Sequence, residues 1–142
     1  MKRASAIALL GISMGMLPML WSGSTAQAHP QFKKEFDKKY VKKPPTTDQE
    51  KMFSEAASKA KCNTCHKGKD KKGRNSYGEA LAKLLTKKDR KDVPKINSAL
   101  VEVEKAHSKT DDPTSPTFGD LIQQGKLPAG EASGAEEHAA AE

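Results

Sequence analysis

The sequence predicts a small all-α protein, with three or four short helices in residues 46–127. Apolar residues recur at helical spacing in several segments, capping patterns precede them, and no strand-like alternation is visible. The chain has 142 residues, which is the size of one domain. Aromatic residues make up only 5% of it, so its core is small and needs a further stabilising group.

The first helix of the domain is predicted to begin at Thr47. Thr47 and Glu50 have the spacing of a capping box, in which each side chain accepts a hydrogen bond from the other residue's backbone. The residues that then share one helical face are Met52, Phe53, Ala56, Ala57 and Ala60. We expect this helix to lead directly into the two cysteines and to pack Met52 into the core.

The second and third helices follow the cysteines. We predict the second over residues 78–88, and the third after Asp92, with Pro94 in its first turn, where proline is tolerated. The apolar stripes are Leu81, Leu84 and Leu85 on the second helix, and Ile96, Leu100, Val103 and His107 on the third.

The segments outside these helices differ in composition. Residues 29–45 are rich in lysine and end in two prolines, so we expect a solvated lead-in, either a linker or an arm that docks on an acidic surface. The Ser, Thr, Asp and Pro residues of segment 108–117 predict a loop. A short last helix is expected after it, capped by Thr117 and ended by Gly125. The Ala- and Glu-rich tail, residues 128–142, is expected to be disordered.

The first 28 residues have the pattern of a secretory signal peptide. Lys2 and Arg3 give a positive start, an apolar run follows, and Ala-Gln-Ala at 26–28 fits the cleavage pattern. Cleavage before His29 would release a periplasmic or otherwise exported chain and lower the formal net charge from +7 to +5. Retention as a membrane anchor stays open, and no membrane span is predicted in the mature chain.

Both cysteines of the chain lie in the segment Cys62-Asn63-Thr64-Cys65-His66. C-x-x-C-H is the attachment signature of c-type haem, because two thiols one helical turn apart can add to the two porphyrin vinyl groups as thioethers. The adjacent His66 then binds the iron as the proximal axial ligand. A redox-active dithiol normally belongs to a βαβ setting, and a zinc site needs a fourth ligand. We therefore predict one covalently attached haem c.

A helix that runs into a haem-attachment motif resembles the class I cytochrome c family. The loop Gly73-Arg74-Asn75-Ser76-Tyr77-Gly78 is similar to the family's Gly-Pro-Asn-Leu-x-Gly, where the proline carbonyl accepts a hydrogen bond from the haem histidine. The resemblance implies a small cytochrome c-like domain of three to four short helices around the haem. It also implies that Arg74, Asn75 and Tyr77 line the ring, with Arg74 either solvated or paired with a haem propionate.

The second axial ligand departs from the family pattern, which places a methionine well after the motif. No methionine follows Met52 in this chain. We predict His107 as the distal iron ligand, because it ends an apolar stripe; a surface position at a helix end is the alternative. His29 and His138 lie in the flanks and are not expected to bind the iron. The sequence also leaves open a lysine ligand or a distal site without a protein ligand.

The predicted function is electron transfer by an exported monohaem protein that is not an enzyme. Basic residues surround the motif and would steer the protein onto acidic faces of redox partner proteins; they are Lys59, Lys61, Lys67, Lys69, Lys71, Lys72 and Arg74. The alternatives are a five-coordinate haem sensor or enzyme that binds a gas or peroxide, and a haem subunit of a larger redox complex. Nucleic-acid binding is not expected, because acidic residues interleave with the lysines. The oligomeric state is left open.

Overall fold

A computed structural model describes residues 29–130 of the chain, which are mostly helical. The described elements are α1 (Pro30–Tyr40), α2 (Asp48–Ala60), a 3-10 helix (Lys61–Thr64), β1 (His66–Lys67), β2 (Gly73–Arg74), α3 (Ser76–Leu84), a second 3-10 helix (Lys87–Lys91), α4 (Val93–Glu104) and α5 (Phe118–Gln123). The mostly helical content agrees with the all-α prediction, and the short antiparallel pair of β1 with β2 was not predicted. The predicted signal peptide lies outside the described residues, as do residues 131–142 of the tail.

Three helices begin where the sequence places a cap. Thr47 Oγ1 accepts a hydrogen bond from the backbone N–H of Glu50 at 3.2 Å and completes the capping box of α2. Asp92 caps α4 through the N–H of Lys95, with Pro94 in the first turn, and Thr117 caps α5. Local side-chain to backbone hydrogen bonds satisfy the free N–H groups of a helix start, which is why these starts are readable from sequence.

Helix α1 corrects the prediction of a solvated lead-in. Residues 30–40 form a helix, and Phe36 is only 1% exposed. Its ring packs against Tyr40 at a centroid distance of 4.9 Å, against Phe53 at 6.1 Å and against Tyr77 at 5.7 Å. Aromatic residues at 32, 36 and 40 make one apolar face of the helix. Because lysines lie between them, the composition of the segment suggested a solvated chain.

Two predicted helix boundaries were also wrong. Helix α3 covers Ser76–Leu84 instead of 78–88, because Leu85 turns to extended backbone and Thr86 caps the second 3-10 helix. Helix α4 ends at Glu104 with Lys105 as its C-cap, so His107 does not continue its apolar face. The last turn of a helix is the part that periodicity locates least well.

The core lies where the helices meet around Tyr77, which is 0% exposed. Its ring packs edge-on against Phe118 at 5.2 Å, so α3 is joined to α5 as well as to α1. Pro128 is buried and Ala129 packs against the core, so the prediction of a disordered tail is wrong for its first residues. Within residues 29–130, no helix has the length and apolarity to cross a membrane.

Candidate functional site

A cavity of about 790 Å³ lies beside the cysteine motif. Its walls come from α1, from the end of α2 and the motif, from α3, and from the turn that follows α3. A cavity of this size is in the range that holds a cofactor. Because α1 forms part of the wall, the segment expected to be a solvated arm is part of the site.

Four of the predicted site residues line this cavity: Cys62, Cys65, His66 and Arg74. Cys62 is exposed and Cys65 is partly buried, and both are free thiols. Asn75, Tyr77 and His107 do not line it. The attachment motif is therefore gathered on one cavity wall, whereas the predicted distal ligand lies elsewhere.

The cysteine motif is presented by a sharp change of backbone direction. Helix α2 ends at Ala60, and Lys61 adopts a positive φ of 49°, after which the chain enters the 3-10 helix. The N–H of Cys65 donates to the carbonyl of Cys62 at 3.2 Å, which closes one turn between the two thiols. Thr64 is buried and its hydroxyl donates to the carbonyl of Lys61 at 2.9 Å. These bonds hold both sulfur atoms on one side of the turn.

His66 is held by a short antiparallel hairpin in which it pairs with Arg74. Its Nδ1 lies 3.2 Å from the carbonyl oxygen of Gly73. A carbonyl can only accept, so Nδ1 carries the proton in this contact and Nε2 keeps its lone pair. This is how a metal-binding histidine is normally oriented. The acceptor is the carbonyl one residue before Arg74, so the resemblance placed the hydrogen bond one residue too late.

Asn75 does not line the cavity, but it holds the backbone of the motif through hydrogen bonds. Its Nδ2 donates to the carbonyls of Asn63 at 3.0 Å and Thr64 at 3.1 Å, while its Oδ1 accepts from the N–H of Gly78 at 2.9 Å and caps α3. Both N–H groups of the Asn75 side-chain amide and its carbonyl oxygen are thus used in hydrogen bonds inside the protein. Asn75 is therefore a positioning residue that ties α3 to the C-x-x-C segment.

Sequence reasoning missed the role of Gly78. A Cβ atom built at this position would lie 2.0 Å from the carbonyl oxygen of Cys65. That carbonyl also accepts a hydrogen bond from the N–H of Asn75 at 3.2 Å. Helix α3 can approach the motif this closely only because residue 78 has no side chain.

Burial keeps the Cys65 and Tyr77 side chains protonated. Desolvation raises the pKa of the Cys65 thiol to about 12, with smaller effects from Lys33 and Cys62. Desolvation likewise raises the pKa of Tyr77 well above its usual value. A thiol with a raised pKa is a poor nucleophile for disulfide exchange. Tyr77 acts as a core residue and does not face the cavity.

His107, the predicted distal ligand, and Met52, the last methionine of the chain, both lie away from the cavity. His107 is exposed, and its Nδ1 lies 2.6 Å from the carbonyl oxygen of Ser115, in the loop before α5. The helix that was expected to direct it inward has already ended. Met52 is 56% exposed, so the expectation that it packs in the core is wrong.

The side of the cavity that the sequence did not predict belongs to α1 and its N-cap. His29, Pro30, Phe32, Lys33 and Asp37 line it. His29 Nε2 is buried and has no hydrogen-bond partner within residues 29–130. The four-residue spacing of Phe32, Phe36 and Tyr40 was the signal that could have identified this wall.

The charged residues of the cavity lining are mostly basic. Lys33, Lys61, Arg74 and Lys87 contribute positive charge, and Asp37 is the acidic member, paired with Lys33 at 2.5 Å. The side chains of Lys61 and Arg74 form no ion pair with another described residue. Such a lining favours a ligand that carries carboxylate groups.

Comparison of this chain with protein-family models, with curated proteins and with solved structures finds no match. Within residues 29–130, no group of three His, Cys, Asp or Glu side chains is arranged to hold a metal ion. The chemistry open to the site therefore rests on the motif, the cavity and their hydrogen bonds.

Proposed function

We propose that this chain is a monohaem c-type cytochrome, similar to the class I family, that transfers electrons outside the cytoplasm. One observation carries the proposal: the two thiols and the histidine of C-x-x-C-H line a single cofactor-sized cavity. Export, expected from the N-terminal segment, belongs to the same proposal, because c-type haem is attached outside the cytoplasm.

The residues present fit a covalently attached haem. Cys62 and Cys65 are free thiols separated by one hydrogen-bonded turn, as two thioether bonds to one porphyrin edge require. His66 has Nδ1 hydrogen-bonded and Nε2 available. When bound, the haem supplies reversible one-electron chemistry at its iron.

The remaining residues hold and tune such a group. The Gly73 carbonyl fixes the His66 tautomer and the orientation of its ring. Asn75 holds the C-x-x-C backbone against α3. Arg74 and Lys61, the cations of the lining that form no ion pair among the described residues, would bind the propionates.

Two observations argue against the alternative uses of the cysteines. A redox dithiol normally follows a strand and opens a helix in a βαβ unit, whereas this C-x-x-C segment follows helix α2 and lies in a 3-10 turn. A structural zinc site needs four ligands, and the described residues bring no group of three together. Both observations leave thioether attachment as the use that the motif supports best.

The test is expression of the full chain in a host that exports it and matures c-type haem. We expect haem that remains with the polypeptide on a denaturing gel and survives acidic acetone extraction. The matched control, Cys62→Ala with Cys65→Ala, is expected to lose all covalent haem. A full chain that matures without covalent haem, while a known cytochrome made in the same cells carries it, would overturn the proposal.

A further inference from the structure

The N-cap residue of α1, His29, is placed at the cavity by its backbone and by a ring contact. Its carbonyl accepts from the N–H of Phe32 at 3.2 Å, and its side chain takes no part in capping the helix. The imidazole instead packs edge-on against the Phe32 ring, with centroids 5.7 Å apart and an angle of 79° between the planes. Both rings line the cavity that contains the cysteine motif. The imidazole is thus held at the cavity by packing.

His29 Nε2 is one of three buried side-chain polar atoms that have no hydrogen-bond partner among residues 29–130, with Asn63 Oδ1 and Tyr77 Oη. Buried polar atoms in folded proteins nearly always have a partner. Because Nε2 is closed to solvent while the cavity is open, the ring has to turn before Nε2 can face the cavity. The His29 ring lines the cavity that also holds His66, and an imidazole at that position has the chemistry of an iron ligand.

We propose that His29 is the second axial ligand of the haem and binds the iron through its imidazole. This inference rests on the proposed function, since it needs the haem attached at Cys62 and Cys65. The haem would then have two imidazole ligands: His66 from the attachment hairpin, and His29 from the start of α1.

The remaining potential ligands fit less well. His107 is exposed outside the cavity, and Met52 is exposed on α2. A lysine of the lining, such as Lys33 or Lys61, has to lose a proton before it can bind iron, whereas a neutral imidazole needs no such step. Among residues 29–130, His29 is thus the imidazole that the cavity offers besides His66.

Two imidazole ligands have defined consequences for the haem. They make it six-coordinate and low-spin, close the distal site to gases and peroxide, and give a lower potential than a histidine and methionine pair. The ligand set therefore favours electron transfer over a sensor or a peroxidase. Cleavage of the signal peptide before His29 would place this ligand at the first residue of the mature chain.

The test compares spectra of the purified haem-loaded full chain and two variants, His29→Ala and His107→Ala. We expect the unchanged protein to be low-spin in both oxidation states and its ferrous spectrum not to respond to carbon monoxide. His29→Ala should become high-spin, bind carbon monoxide, and return to low-spin when free imidazole is added. The matched control His107→Ala should behave like the unchanged protein.

A His29→Ala protein that stays low-spin and ignores carbon monoxide would overturn the inference, including the case in which the free N-terminal amine is the ligand. An unchanged protein that is high-spin would overturn it as well. Near-infrared magnetic circular dichroism of the unchanged protein distinguishes two imidazoles from imidazole with an amine, so the result does not depend on the variant's folding. Absence of covalent haem would instead mark failure of the proposed function, on which this inference rests.

Discussion

At the residue scale, the contact between Gly78 and Cys65 is the tightest constraint on the site. A methyl group at residue 78 would lie 2.0 Å from a backbone carbonyl oxygen, so either α3 or the attachment motif must move. Backbone atoms cannot move aside as the end of a flexible side chain can. The geometry of the thiols therefore depends on one missing Cβ atom.

We expect Gly78→Ala to lower the free energy of unfolding of the haem-loaded protein by about 2 kcal/mol or more, the upper part of the overpacking range. Denaturant titration of purified protein would measure it. Gly73→Ala is the matched control, because its Cβ would meet the nearest atom, in the Lys67 side chain, at an ordinary 3.7 Å. Equal effects of the two substitutions would contradict the close-approach explanation.

The hydrogen bonds of His66 and Asn75 belong to the same scale. The sequence resemblance predicted a backbone acceptor for the histidine, and one is present, but at Gly73 in place of Arg74. It also predicted Asn75 and Tyr77 at the haem, whereas they lie behind the motif and in the core. A linear motif specifies residue types near a site, but the hairpin register decides which carbonyl the ring meets.

At the element scale, α1 has the largest consequence for the site. It supplies Phe36 to the core and a row of residues to the cavity wall. Tyr40 also joins it to α4, by donating to the carbonyl of Leu100 at 3.2 Å and to Glu104 at 2.5 Å. Residues 30–40 are therefore an integral part of the domain.

We predict that Phe36→Ala destabilises the protein by about 3–5 kcal/mol, the usual cost of removing a buried phenyl ring. Phe32→Ala, at a partly buried position on the same helix face, is expected to cost less. Thermal or denaturant unfolding followed by circular dichroism would measure both. If Phe36→Ala unfolded like the unchanged chain, α1 would be the solvated arm that composition alone suggests.

Carboxylates at the starts of helical elements make stability depend on acid pH. A hydrogen bond from Lys95, with further bonds from Thr86, lowers the pKa of Asp89 from 3.8 to about 2. Hydrogen bonds from Thr117 lower the pKa of Asp120 at the start of α5. A lowered folded-state pKa means that the contribution to stability is present above the unfolded value and is lost as pH falls through the folded value.

The free energy of unfolding should accordingly be level above about pH 5 and fall below it, with the Asp89 contribution lost between pH 3.8 and about 2. Denaturant titrations over this range would measure the slope. Asp89→Asn should be less stable than the unchanged chain near neutral pH and should show a shallower acid slope. An unaltered slope would mean that Asp89 makes no such contribution.

At the scale of the whole molecule, the cavity interrupts what would otherwise be a continuous core. Leu81 and Leu85 are nearly buried yet border the cavity, and α1 closes its other side. Atoms that line an empty space lose dispersion contacts on one side. The fold is thus expected to depend on what occupies the cavity.

We expect the Cys62→Ala, Cys65→Ala chain, made without haem, to lose most of its cooperative structure. A circular dichroism melt of this variant beside the haem-loaded protein would measure the difference. A sharp melt of the haem-free chain at a comparable temperature would show that the helices pack stably around an empty cavity.

Surface charge is a second whole-molecule property. Lys59, Lys67, Lys69 and Lys72 are exposed near the motif, and the whole chain carries a formal charge of +7. We expect the rate of electron transfer with an acidic redox partner to fall about tenfold or more from low to physiological ionic strength, because salt screens steering. Stopped-flow kinetics would measure it, with a neutral small-molecule reductant as the control whose rate stays constant. If the rate with the acidic partner did not change with ionic strength, electrostatic steering by these lysines would be contradicted.

The sequence by itself determined the features that depend on neighbouring residues. Short sequence patterns predict the starts of α2, α4 and α5, the mostly helical class and the C-x-x-C-H turn, because caps and one-turn spacings involve residues only a few positions apart. The proposed haem chemistry rests on that same local evidence.

Only the tertiary structure decided which distant residues share the cavity. In the tertiary structure the lysine-rich lead-in forms one wall of the cavity, and His29 lines the same cavity as the motif. His107 is exposed to solvent. The physical reason is that such positions depend on packing between helices far apart in sequence, here of Phe36 against Phe53 and Tyr77. No spacing along the chain encodes that contact.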